Sequence, residues 1–248
     1  MITKFFFGIG EYCLLMGKVF RMPDKGRMFW RQLSREMGKQ GLESILITLI
    51  VSVFMGAIMT MQTKLNTENP LLPAYTTGLV TRDCILLEFS STILCLLLAG
   101  KVGSNIASEI GTMRITEQID AMEIMGVNSA NYLIFPKIVA FMVMMPMLVT
   151  LSMFTGLLGG YAISEVANVL TVEEYLLGIQ YAFIPFYVWY SFIKTVVFAF
   201  IIASMASYYG YYARGGALEV GKASTKAVVN SSIVILLMDV ALTNLMLN

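Results

Sequence analysis

Five long apolar stretches run through the chain, and they restrict it to one kind of fold. They cover about Ile45 to Met61, Cys84 to Leu98 (extending through Ala99 and Gly100), Tyr132 to Ile163, Ala182 to Tyr208 and Ala227 to Leu247. A helix crossing the hydrocarbon core of a bilayer needs about 20 mainly apolar residues. The backbone finds no water there, so each crossing has to satisfy its own hydrogen bonds as a helix. Only 13% of the residues are charged and 57% are apolar, whereas soluble domains carry about 25% charge. The expected fold is an all-α integral membrane protein with five transmembrane helices.

Basic residues give the orientation, because Lys and Arg concentrate on the cytoplasmic side. Lys4, Lys18, Arg21, Lys25, Arg27, Arg31, Arg35 and Lys39 precede the first span. Lys101, Arg114 and Lys137 are counted with the segment between spans two and three, and Arg214, Lys222 and Lys226 with that between spans four and five. The opposite side has Lys64 and Arg82, and its second loop is acidic, with Glu165, Glu173 and Glu174. The N-terminus is therefore expected in the cytoplasm and the C-terminus outside. Residues 1–40 interleave Phe5, Phe6, Phe7, Ile9, Leu14, Leu15, Val19 and Phe20 with Gly8, Glu11, Gly17 and Lys18. They read as an amphipathic interfacial segment with aromatics in lipid, basic residues at anionic headgroups and Trp30 at headgroup level. No small-residue cleavage site follows the first apolar run, so no removable signal peptide is expected. Residues 41–248 form the transmembrane domain.

Several function classes drop out. Histidine is absent, which removes the commonest general base and metal ligand. Cys13, Cys84 and Cys95 have no metal-ligand spacing, and a net charge of +1 gives no signal for nucleic acid. Gly216 to Lys222 fit G-x-x-x-x-G-K, but Ala223 stands where a phosphate-binding loop has Ser or Thr, and a membrane span precedes it instead of a strand. The stretch reads as a Gly-rich cytoplasmic turn before span five.

Two groups of residues carry functional expectations. The end of the segment Ala99 to Asn128, AGKVGSNIASEIGTMRITEQIDAMEIMGVN, reads as a short helix from about Thr116 to Met125, capped by Thr116 and closed by Gly126. Ile115, Ile119 and Met122 make an apolar face and Glu117, Asp120 and Glu123 an acidic stripe, a two-faced form suited to docking on a partner. The other group is Glu88, Lys194 and Asp239, each inside a span. A charge there costs at least about 2.5–3.5 kcal/mol, so each should face protein or water, and Glu88 and Lys194 are natural candidates for an ion pair or for a charged lipid headgroup. Ser52, Gly56, Ala57, Gly156, Gly159 and Gly160 permit close helix packing. Rival readings are an ion-coupled secondary transporter with Glu88, Lys194 and Asp239 as a relay, a lipid enzyme, and a structural scaffold.

The same segments resemble the MlaE (YrbE) family of ABC transporter permeases. The resemblance lies in AGKVGSNIASEIGTMRITEQIDAMEIMGVN, in FIKTVVFAFIIASMASYYG with GGALEVGKASTKAVV, and in LMDVALT around Asp239, and it covers roughly residues 40–248 in order. Before the first motif the family usually has Arg-Glu-Leu-Gly-Pro; this chain keeps only Glu88, within Leu87-Glu88-Phe89-Ser90-Ser91, and Glu219 replaces a usual glycine. The resemblance implies a homodimer in the bacterial inner membrane, bound to a separate cytoplasmic ABC ATPase and capped by a periplasmic MCE-domain protein. It implies phospholipid as substrate, moved between inner and outer membranes to maintain outer-membrane lipid asymmetry. It makes the short helix a coupling helix, with Arg114, Thr116, Glu117, Gln118, Asp120 and Glu123 transmitting ATPase motion, and it sets Glu88 and Lys194 near the lipid cavity. No cofactor is expected in this chain, since ATP and magnesium bind the partner ATPase.

Overall fold

The structure, a computed structural model, describes residues 2–20, 26–67, 72–167 and 170–247. Arg21 and Lys25 lie outside the described residues, as do the side chains of Lys4, Phe5 and Arg27. Among the described residues every regular element is helical, and five helical runs are long and apolar enough to cross a membrane, so the chain is an all-α membrane protein.

The N-terminal segment is two helices, α1 (Ile2–Val19) and α2 (Gly26–Gln40). A short 3₁₀ turn, Leu42–Ser44, leads into α3 (Ile45–Asn66). The second crossing, Thr76–Ile115, comprises α4 (Thr76–Cys84), a π-helical segment Ile85–Ile93, α5 (Leu94–Leu98), a second π-helical segment Ala99–Gly103 and α6 (Ser104–Ile115). There follow α7 (Gln118–Ile124), α8 (Ser129–Val166), α9 (Val172–Gln180), α10 (Phe186–Tyr211) and α11 (Ala217–Leu247).

The five expected spans are present, but their ends differ, because an apolar run marks the lipid-bathed part of a helix and not its full length. The second helix continues beyond Gly100 through Lys101, Glu109 and Arg114. The fifth begins at Ala217, well before Ala227, its first turns supported by an ion pair of Lys222 with Glu219 at 2.6 Å. The G-x-x-x-x-G-K stretch is therefore mostly helix, and the turn before it is short, with Gly215 at φ +112°. The fourth starts at Phe186 and not Ala182, because Ala182 has φ +46° and Pro185 follows.

The chain forms two compact units. One comprises Met1–Leu42, Leu96–Met144 and Val197–Val240. Its core includes Leu15, Val19, Ile106, Ile110, Ile119, Ile134, Phe141, Phe198 and Ile202. Here α1 is amphipathic, with Leu15, Met16 and Val19 buried while Phe6, Phe7 and Leu14 stay exposed. Its last carbonyls, unpaired at any helix end, are capped by side-chain amides: Asn128 Nδ2 donates to Lys18 O (3.0 Å) and Asn131 Nδ2 to Val19 O (2.5 Å). Small residues seat α6 against its neighbours: a Cβ on Gly210 would lie 2.7 Å from the Ala107 carbonyl oxygen, and one on Gly111 3.0 Å from Val220.

The other unit comprises Glu43–Cys95, Met145–Val196 and Ala241–Asn248. Its centre is a seam of small residues between α3 and α8. A Cβ on Gly56 would overlap the Gly156 carbonyl, and one on Gly159 the Val53 carbonyl. Ser52 Oγ donates to Ser152 Oγ at 2.7 Å in the same seam. The glycines read from the sequence as packing residues thus bring two backbones together. On the other flank α9 meets α4, where Gly178 and Gly78 face each other.

Candidate functional site

Glu88 and Lys194 do meet. Glu88 lies in the π-helical segment and Lys194 on α10, and Lys194 Nζ stands 3.2 Å from both carboxylate oxygens. The ammonium also donates to the Leu87 carbonyl at 3.2 Å and lies 4.9 Å from the Tyr190 ring centre. Thr92 Oγ1 donates to Glu88 Oε2 at 3.0 Å. Burial is unequal: the Lys194 side chain is fully enclosed, whereas that of Glu88 is 42% exposed. A lysine that deep is tolerable only with its charge neutralised, and the open carboxylate is the part of the pair that another molecule can approach. Asp239 is half-buried on α11, in the first unit.

The short helix after α6 forms, but it starts later than expected. Thr116 does not cap it; its hydroxyl donates back to Thr112 O at 2.8 Å, at the end of α6. Glu117 takes a left-handed conformation, φ +59°, without a capping bond, and that elbow separates α6 from α7. Gly126, at φ +77°, closes α7 as expected: Val127 N–H donates to Met122 O and Gly126 N–H to Glu123 O, the paired bonds of a glycine-terminated helix.

The acidic stripe is not free. Arg114 Nη1 bonds Asp120 Oδ1 at 2.6 Å, and its guanidinium lies 5.8 Å from the Tyr211 ring centre. Glu123 Oε1 accepts from Tyr211 Oη (2.8 Å) and Ser129 Oγ (2.9 Å). Glu117 and Gln118 are exposed. Beside them two large apolar side chains stand out at the end of α7, Ile124 88% and Met125 71% exposed.

The hydroxyls of Tyr211 and Ser129 hold the Glu123 carboxyl below the usual carboxylate range. A depressed value means that the attachment of α7 is fully present above that range and weakens as pH falls through it. Protection of the α7 amides, taken relative to the intrinsic exchange rate at each pH, is accordingly expected to be high at pH 7 and lower at pH 4. Glu123→Gln is expected to show low protection at both, and equal protection in the native chain at the two pH values would remove the carboxylate from this role.

Three groups escaped sequence reasoning. Lys137, counted above among the orientation charges, is buried on α8 between Glu36 Oε1 and Glu109 Oε2, 2.8 Å from each, and Lys39 bonds Glu109 at 3.1 Å. Arg82 is buried too, donating to the Ile179 and Tyr181 carbonyls at 2.8 and 2.7 Å and pairing with Asp83; it satisfies the open end of α9. Helix α9 begins with a capping box between Thr171 and Glu174, a T-x-x-E pattern visible in the sequence. Among the described residues no cluster of acidic or cysteine side chains is arranged to hold a metal.

The profile of the family described as Permease MlaE matches residues 33–245. A protein of Rickettsia bellii named "Probable ABC transporter permease protein" is 36% identical over 242 residues, covering 96% of this chain and 91% of its own. A like-named protein of Synechocystis sp. is 35% identical over 233 residues, 94% of this chain and 88% of that one. Protein TRIGALACTOSYLDIACYLGLYCEROL 1, chloroplastic, of Arabidopsis thaliana is 28% identical over 236 residues, 93% of this chain and 66% of that one. With the matched region spanning all five membrane helices, the chain belongs to the MlaE permease family of ABC transporter permeases.

Proposed function

We propose that this permease moves phospholipid between the inner and outer membranes of a double-membraned bacterium, as a homodimer driven by a separate ATPase and continued by a periplasmic MCE-domain protein. The observation that carries the reading is the Glu88–Lys194 pair, an enclosed ammonium beside an open carboxylate within membrane-crossing helices. The open carboxylate can face the ammonium of a zwitterionic headgroup, while the enclosed lysine behind it balances the carboxylate's charge. The name of the Arabidopsis relative is that of a diacylglycerol lipid, which agrees with a lipid substrate. The bias of basic residues supports a cytoplasmic N-terminus and a periplasmic C-terminus.

In this reading α7 is the contact with the ATPase. ATP binding closes the ATPase pair and pushes on α7, and the permease alternates between taking up and releasing lipid. Nucleotide chemistry stays with the partner. Purification of the tagged chain in mild detergent, with mass spectrometry of bound proteins and lipids, tests this. Recovery of an ABC ATPase, an MCE protein and phospholipid supports it, whereas lipid or solute movement driven by an ion gradient without any ATPase supports the relay reading instead.

The exposed apolar end of α7 gives a sharper test. Ile124→Asp puts a charge where a partner's apolar pocket would close, and losing such an anchor costs about 2 kcal/mol or more. ATPase recovery is expected to fall at least about tenfold, with the melting temperature unchanged because Ile124 makes little contact within the chain. Full recovery of the ATPase with Ile124→Asp would move the contact elsewhere.

A further inference from the structure

Between α3 and the π-helical segment Ile85–Ile93, against α8, lies a notch of about 300 Å³, its open mouth included. Its rim is apolar, with Met55 and Phe89 half-buried and Ile93 exposed. Three serines form its floor, Ser52, Ser152 and Ser90, each at most 5% exposed. Ser52 Oγ donates to Ser152 Oγ at 2.7 Å, and Ser152 Oγ to Ser90 Oγ at 3.3 Å. Three hydroxyls carry three protons, and the two bonds engage two of them. The third, on Ser90, meets no acceptor among the described residues. Reversing both bonds only moves the surplus proton to Ser52, which borders the same notch. A buried donor without a partner is unfavourable, so the notch calls for an acceptor. Glu88 does not supply it: residues two apart on a helix do not face each other, and the carboxylate is engaged by Lys194 and Thr92.

We propose that this notch is an ester subsite for glycerolipid in transit: Ser90 or Ser52 donates to the carbonyl oxygen of an acyl ester, and Met55, Phe89 and Ile93 pack against the chain beside it. This rests on the reading of the permease as a lipid transporter. The floor has room for a group the size of a water molecule. A carbonyl oxygen fills that space, and it only accepts. A water would add two protons of its own in need of acceptors. Depth points the same way. Ser52 lies seven residues beyond Ile45, where α3 begins, about 10 Å along the crossing at 1.5 Å per residue. The ester of a lipid at rest in its leaflet stays at the edge of the hydrocarbon core, so only a lipid drawn inward brings its carbonyl to the serines. There the hydroxyl replaces a hydrogen bond that the ester leaves behind at the interface, and it does so whatever the headgroup.

The permease with its ATPase is stripped of lipid in detergent and offered equal amounts of dioleoylphosphatidylethanolamine and its di-O-oleyl analogue, which has the same headgroup and chains but no carbonyl. Native mass spectrometry reads the ratio of the two among the last lipids retained on washing. One added hydrogen bond predicts about fivefold more ester than ether. Ser52→Ala/Ser90→Ala removes both end hydroxyls, and Ser152, left alone, can donate to the carbonyl four residues back. Its ratio is expected to be close to one, with as much lipid retained in total. A ratio near one in the native chain overturns the subsite, and that measurement needs no variant to fold. A high ratio that survives in the double variant puts ester recognition elsewhere and overturns it too. ATP hydrolysis with each lipid alone separates the subsite from the transport reading. Hydrolysis stimulated equally by ester and ether lipid, with a ratio near one, removes the subsite and leaves lipid transport standing. A high ratio that is lost in the double variant, with neither lipid stimulating hydrolysis, keeps the notch as a lipid site and overturns lipid transport.

Discussion

Gly56→Val is expected to leave no folded permease. The Cα of Gly56 sits against the backbone of Gly156, and a Cβ there would overlap the Gly156 carbonyl. The obstacle is main chain, which has no rotamer to change, so α3 and α8 would have to separate along the seam. That separation would also move Gly159 off the Val53 carbonyl and part the Ser52–Ser152 hydrogen bond. Overpacking a well-filled core costs about 1–3 kcal/mol when side chains can adjust. Against fixed backbone the upper end is the minimum, and a helix pair in lipid is held together by such packing in the first place. Gly221→Ala is the control: a Cβ there meets open space on α11, and replacing a helical glycine is expected to stabilise by about 0.5–1 kcal/mol. Fluorescence-detected gel filtration after a heat step compares the two. A monodisperse Gly56→Val peak with native melting would show that the helices do not pack through this glycine.

The seam illustrates which parts of the fold could be read from sequence. That Gly56, Gly156 and Gly159 serve packing follows from their size inside apolar spans, but which glycine meets which carbonyl depends on crossing geometry that no local pattern records. The spans themselves were legible because hydropathy over twenty residues outweighs everything else; their ends were not, because polar helix such as Ala217–Lys222 looks like loop to a hydropathy count. In the same way Glu88 and Lys194 announced themselves as charges in need of a partner. The acidic residues of α7 had the right spacing, yet Tyr211, which engages Glu123 together with nearby Ser129, comes from a distant part of the chain. Thr116 looked like a cap because its residue type suits one, and the left-handed Glu117 displaced it. Lys137 was legible only in part. As a lysine beside an apolar run it passed for an orientation charge, and only the fold brings Glu36 and Glu109 to it.

Lys137→Met is expected to destabilise the permease by about 3–5 kcal/mol, because breaking a buried ion pair strands a charge. The Lys137 side chain is 2% exposed and that of Glu36 6%. Without the lysine, Glu36 retains a hydrogen bond from Gln40 at 2.9 Å, a neutral donor too weak to offset the desolvation of a carboxylate. Glu109 is less affected, since it is more open and keeps Lys39. The cost should therefore come almost entirely from Glu36, and Lys137→Met/Glu36→Met should recover most of it, as apolar side chains often replace a buried pair without loss. This double variant also separates two explanations of why a lysine stands here. If Lys137 mattered mainly as a positive charge that sets orientation, removing Glu36 as well would restore nothing, and protease accessibility would find both variants equally misinserted. If the ion pair joining α2 to α8 is what counts, the single variant inserts correctly but melts early, and the double variant melts close to the native chain although its positive charge is still missing.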